Sequence, residues 1–143
     1  MKRWLPIFLS ILLLAGSNAM RAETDAEVQA RKDALDVAGA FSNDGFKIRD
    51  GHWCGVVKPH DHALVAVNLY AGNQYWFSAA AAEPSKIAVS VYDETGKQVT
   101  TESYNNGEKA AAGFSPVNSG QYFVSVNLVE GNGGSFCLVY SYK

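Results

Sequence analysis

Four side chains able to hold a soft metal lie close together in the chain: His52, Cys54, His60 and His62. On extended backbone, His-x-Cys and His-x-His place their side chains on one face, and imidazole and thiolate are good ligands for zinc or copper. Two features work against the metal. His60 and His62 follow Pro59 in a turn, and oxidation of Cys54 removes its thiolate. His52, His60 and His62 therefore stand only as candidates, and the cluster reads as polar loop residues beside a disulfide, with no metal or cofactor. No Gly-x-Ser-x-Gly elbow raises a nucleophilic serine. Asp93 and Glu94 are adjacent carboxylates on a turn. Both would be solvated there, whereas a general acid and a general base need two different environments. The chain reads as a non-enzyme. Trp53, Trp76, Tyr92 and Tyr104 would stack on sugars where exposed, and otherwise fill a core or cover a sheet face.

These side chains need a scaffold, and its pattern is clearest over Ser115 to Val129. Pro116, Asn118, Ser119 and Gly120 are turn residues. After them Tyr122, Val124, Val126 and Leu128 fall on one face, and Phe123, Ser125 and Asn127 on the other. A period of two with one apolar face predicts a half-buried strand. The same logic predicts strands over 46–49, 53–57, 64–70, 74–80, 87–92, 97–104, 110–114, 121–129 and 136–142. Turn residues such as Ala71-Gly72-Asn73, Asp93-Glu94-Thr95-Gly96 and Asn105-Asn106-Gly107 separate them. Strands at this spacing, with no helical segment between them, predict an all-β sandwich or barrel and argue against a parallel α/β sheet. Val65, Val67, Val89, Val91, Val124 and Val126 are the predicted inward-facing residues.

Ahead of the strands, Thr24-Asp25-Ala26-Glu27 has the form of a capping box. Val28, Leu35, Ala38 and Phe41 recur at roughly helical spacing. A helix is predicted over 25–40, either docked loosely on the sheets or partly a spacer. Further upstream, Lys2 and Arg3 precede the apolar run Leu5 to Ala15, and Gly16-Ser17-Asn18-Ala19 follows it. A basic start, an apolar segment of this length and small residues predict a secretory signal peptide over 1–19, with Ala22 as the other cleavage site. The run falls short of the roughly 20 apolar residues of a membrane span, so no span is predicted in the mature chain. The expected division is a signal peptide over 1–19, a helical extension over 20–45 and a β-sandwich domain over 46–143.

The formal charge is −2, and loss of Lys2 and Arg3 with the signal peptide makes it more negative. No basic stripe remains, which disfavours nucleic acid and anionic membranes as partners. Cys54 and Cys137 are the only cysteines. In an exported chain such a pair predicts one disulfide. It would join the start of the domain to its last strand.

Four stretches together resemble the bacterial pre-peptidase C-terminal domain and its small secreted relatives. They are Val67-Asn68-Leu69-Tyr70-Ala71-Gly72-Asn73-Gln74-Tyr75, Val89-Ser90-Val91-Tyr92-Asp93-Glu94-Thr95-Gly96-Lys97, Phe114-Ser115-Pro116 with Ser119-Gly120-Gln121-Tyr122, and Cys137-Leu138-Val139-Tyr140. The resemblance implies a jelly-roll-like antiparallel β-sandwich of about nine strands with a short N-terminal helix, used as a non-catalytic appendage or a stand-alone exported protein. Many members of that family carry acidic residues between the second and third of these strands, which could hold a calcium ion. Here that segment offers only Glu83, short of the six to eight oxygens that calcium takes. Ser119-Gly120-Gln121-Tyr122 is also similar to the Ser-Gly-x-Tyr loop of periplasmic lysozyme inhibitors, which implies a hydroxyl and a backbone amide presented to an acidic cleft.

The expected function is that of a non-catalytic exported binding or accessory protein of the bacterial periplasm or cell surface, with a protein or a cell-wall glycan as partner. The alternative is a periplasmic lysozyme inhibitor acting through Ser119, Gly120 and Tyr122.

Overall fold

A computed structural model describes residues 24–49, 51–82 and 84–143. The predicted signal peptide, both cleavage sites and Glu83 lie outside the described residues. The elements in chain order are α1 (Asp25–Ala40), a short 3-10 turn (Ser42–Asp44), β1 (Lys47–Ile48), β2 (Trp53–Val57), β3 (His62–Leu69), β4 (Tyr75–Ala81), β5 (Lys86–Asp93), β6 (Glu102–Asn106), β7 (Lys109–Phe114), β8 (Gly120–Glu130) and β9 (Gly134–Tyr142). Every predicted strand is present, β2 with its predicted ends and the others with shifted ones. The largest shift is at β6, predicted over 97–104. There the chain first runs beside β5, through a bridge between Gln98 and Tyr92 and a bond from Val99 N–H to the Val91 carbonyl. It then crosses to the other sheet, so the regular strand begins only at Glu102.

The larger sheet has the order β1-β9-β4-β7-β6, with β2 also on β9, and the smaller one is β3-β8-β5. All pairings are antiparallel. From β2 onward each connection except the β6–β7 hairpin passes from one sheet to the other, which is the winding of a jelly roll.

The core lies between the sheets, and β8 is its centre. Val124 stands opposite Val65 on one side and Val91 on the other. All six valines predicted to face inward are buried. Each contributes about 1.5–3 kcal/mol relative to exposure. Phe77, Leu138 and Tyr140 of the larger sheet close on them.

The central strands of the larger sheet are buried on both faces because α1 covers the outer one. Ala30, Ala34 and Ala38 recur at every fourth residue and pack on Ala80, Cys137 and Val139. This corrects the predicted stripe in part: Ala38 is buried as predicted, whereas Val28 and Leu35 are exposed, and Ala30, Ala34 and Val37 complete the buried edge. Small residues on both surfaces let helix and sheet approach closely, so α1 is docked rather than loosely tethered. At its start the Thr24 hydroxyl accepts the Glu27 N–H at 3.2 Å, the predicted cap. At its end Phe41 stacks on Trp76 with ring centroids 4.1 Å apart. Beneath Trp76, Gly113 leaves room for the indole, which a Cβ there would meet at 2.9 Å.

The turn before β9 is equally tight. Gly133 has φ +75°, and a Cβ there would lie 2.0 Å from the Val57 carbonyl oxygen. Gly133→Ala is expected to cost about 2 kcal/mol or more in denaturant unfolding, through left-handed backbone and a clash with main chain. An unchanged midpoint would contradict this packing of β9 on β2.

Candidate functional site

The Ser119 loop enters β8 from β7. The Ser119 hydroxyl accepts the Ala71 N–H at 2.8 Å, and the Tyr122 hydroxyl donates to the Asn118 carbonyl at 2.7 Å. Both hydroxyls therefore tie the loop to the chain, the first to the β3–β4 turn. Tyr122 is buried, and the exposed apex is Val117. Gly120 departs from expectation. Its φ is not left-handed, and a Cβ there meets nothing within 4 Å. Gly120→Val, which the sequence suggests would strain the turn, should instead change stability by less than about 0.5 kcal/mol. Ser119→Ala should cost about 1 kcal/mol through the loss of its bond to Ala71. Thermal unfolding of the two variants checks the pair, and the reverse order would contradict the observed loop.

Beside this loop is a depression of about 340 Å³ lined in part by Asp93, Glu94, Phe114 and Gln121. The Asp93 carboxylate accepts the Thr95 hydroxyl at 2.6 Å and the N–H groups of Thr95 and Lys97 at 2.9 and 3.0 Å. The Thr95 hydroxyl, then the Lys97 amide, hold its pKa below the ordinary carboxylate value. It is a turn-forming anion occupied by its own hairpin.

The histidines and cysteines separate. Cys54 on β2 stands directly opposite Cys137 on β9, and the two are disulfide-bonded. The thiolate of the candidate metal set is thereby taken. His60 has φ 62°, in the turn where Asp61 N–H bonds the Lys58 carbonyl. His62 opens β3, its N–H donating to the Asp61 carboxylate at 2.8 Å. His52 is exposed just ahead of β2. Among the described residues no three His, Cys, Asp or Glu side chains are grouped to hold a metal.

The four aromatic candidates form no common platform. Trp53 stacks on Tyr140 at 5.6 Å inside the sandwich, and Trp76 lies under Phe41. Tyr92 is on the outer face of the smaller sheet near Phe123, and Tyr104 is exposed on β6.

A cleft that the sequence reading did not single out opens where the β3 edge faces the end of β9. It holds about 490 Å³ and is lined by Arg49, Asn68, Tyr70, Asn73, Tyr140 and Tyr142 among others. Arg49 follows β1, and its N–H donates to the Tyr140 carbonyl at 2.9 Å. Its guanidinium lies 5.0 Å from the centre of the Tyr140 ring and donates to the Tyr140 hydroxyl. Burial raises the Tyr140 pKa above the ordinary phenol value, against the opposing pull of Arg49, so the group is a neutral phenol. The Tyr75 hydroxyl accepts the Tyr70 N–H at 2.9 Å and the Asn73 side-chain amide at 3.1 Å. This fixes the turn that carries Tyr70. Tyr70 and Tyr142 are 61% and 40% exposed. Tyr140 and Tyr142 signal a shared face by their spacing of two. Arg49 and Tyr70 reach them only through β1–β9 pairing and the sandwich itself, which no local pattern reveals.

The fold and the paired cysteines suit an exported bacterial β-sandwich. Residues 74–133 match the family model described as a secretion system C-terminal sorting domain. The match runs from the start of β4 past the end of β8, less than half the chain. It indicates a protein secreted across the bacterial outer membrane or attached to the cell surface. It supports neither the expected pre-peptidase resemblance nor the lysozyme-inhibitor one. No curated protein matches the chain. Among the described residues no helix is long and apolar enough to cross a membrane.

Proposed function

We propose that the protein is a non-catalytic exported β-sandwich, a binding or accessory protein of the cell surface or surroundings, whose sorting-domain-like strands are read by a type IX secretion apparatus as part of the whole sandwich. The observation that carries this reading is the placement of the matched stretch. Its first strand, β4, pairs with β9, and its last, β8, pairs with β3. Both partners lie outside the match. Cut out alone, residues 74–133 would expose two unpaired strand edges and half a core. The non-catalytic part of the proposal is supported by the Asp93 carboxylate and the Ser119 and Tyr122 hydroxyls around this loop, which are occupied by bonds within the chain.

Reporter fusions behind a common signal peptide test it. A reporter joined to residues 24–143 should reach the surface or the medium of a bacterium that has the apparatus, and one joined to 74–133 alone should remain in the periplasm. Export of both fusions alike would overturn the requirement for the whole sandwich.

A further inference from the structure

We infer that the Arg49–Tyr142 cleft binds a carboxylated sugar, a uronic-acid unit of an acidic glycan. This rests on the binding role proposed above and names the ligand class for it. The cation comes first. Among the described residues no carboxylate pairs with Arg49, and its guanidinium is held only by Tyr140, through the ring face and the hydroxyl. One edge of the fork is thereby anchored and the remaining N–H donors are left for a ligand. A guanidinium presents paired donors that fit a carboxylate in two parallel bonds. A single cation in a net-negative chain balances one negative charge, which favours a carboxylate over a doubly charged phosphate.

The walls specify the rest. Tyr70 and Tyr142 are exposed aromatic residues lining the cleft, of the kind that pack on the flat C–H face of a pyranose. Their hydroxyls make no bond among the described residues. Asn68 adds a side-chain amide at the same cleft, a group that both donates and accepts, as sugar hydroxyls require, and Asn73, whose amide nitrogen is bonded to the Tyr75 hydroxyl, adds a carbonyl acceptor. The volume, about 490 Å³, is in the range of ligand pockets. The positions are set before any ligand arrives: Tyr75 fixes the Tyr70 turn, and the β1–β9 pairing fixes Arg49.

Titration calorimetry of the mature protein with trigalacturonate tests this. The neutral methyl ester is the control, because it keeps the ring faces and removes the charge. The acid is expected to bind with a Kd of about 1 mM or tighter, and the ester at least about tenfold more weakly. Arg49→Gln should weaken the acid about tenfold or more. Tyr70→Ala, whose side chain is largely in solvent, should weaken it at least threefold without moving the melting temperature, which keeps the test open if Arg49→Gln disturbs the fold. The inference is overturned by equal binding of acid and ester, or by wild-type affinity in Tyr70→Ala and Arg49→Gln. It is also overturned if neither trigalacturonate nor a mannuronate trisaccharide binds at about 10 mM. Binding of a glutamate-bearing extended peptide with no uronate binding would assign the cleft to a protein partner instead. Loss of export with uronate binding intact would overturn the sorting role and leave this site standing.

Discussion

Cys54→Ala combined with Cys137→Ala is expected to lower the unfolding free energy by roughly 4–5 kcal/mol. The bridge spans a sequence separation of 83, and chain-entropy arithmetic for a loop of that length gives this upper-end value. The position of the bridge adds to the loop argument. Cys137 is fully buried beneath α1, in the cluster with Ala30, Ala34 and Ala38. Cys54 lies on β2, an edge strand that shares the outer side of β9 with the two-residue β1. Without the bridge, that divided edge relies on its ladder alone, and the surface on which the helix sits loosens with it. Most of a small domain's net stability is then at stake. Urea unfolding of the oxidised protein and the double variant gives the difference. Thiol titration of the unfolded, unreduced protein should find no free sulfhydryl. Two free thiols, or equal stability, would contradict the pairing.

Val124→Asp is the second large effect. Val124 is fully buried in the middle of β8, between Val65 and Val91. Among the described residues no cation faces this part of the core. An aspartate there must either lose its hydration without a partner or bind a proton. The expected cost is several kcal/mol, with the loss smaller in acid, where the protonated form is cheaper to bury. A variant melting with the wild type would mean that the two faces of β8 are reversed. Asn127→Asp is the informative contrast. Asn127 lies on the opposite face of β8, is only half-buried and already bonds the Ser90 and Ser125 hydroxyls, so a carboxylate there should cost less.

The fold was largely legible because β periodicity is local. Val65, Val67, Val89, Val91, Val124 and Val126 announce their face by alternation, and Gly72, Gly96 and Gly107 mark turns where the observed φ is positive. The disulfide was legible from the even cysteine count in a chain whose start reads as an export signal. What failed were features set by tertiary packing. Helix α1 buries alanines because small residues allow close docking, and a hydrophobicity-based stripe instead selects Val28 and Leu35, which are exposed. β6 starts late because the chain changes sheets, a decision made by partners distant in sequence. The Ser119 loop looked like a presented motif, yet its hydroxyl is used on Ala71, a residue 48 positions away. The Arg49 cleft left almost no trace, since its parts come from both ends of the domain.

The most direct measurement of the central claim is the location of the intact protein in paired strains, one with a working type IX secretion apparatus and one without. The protein, detected by antibody in the medium, surface and periplasmic fractions, should be found outside the cell or on its surface in the first strain and held in the periplasm in the second. The same distribution in both strains would contradict the account.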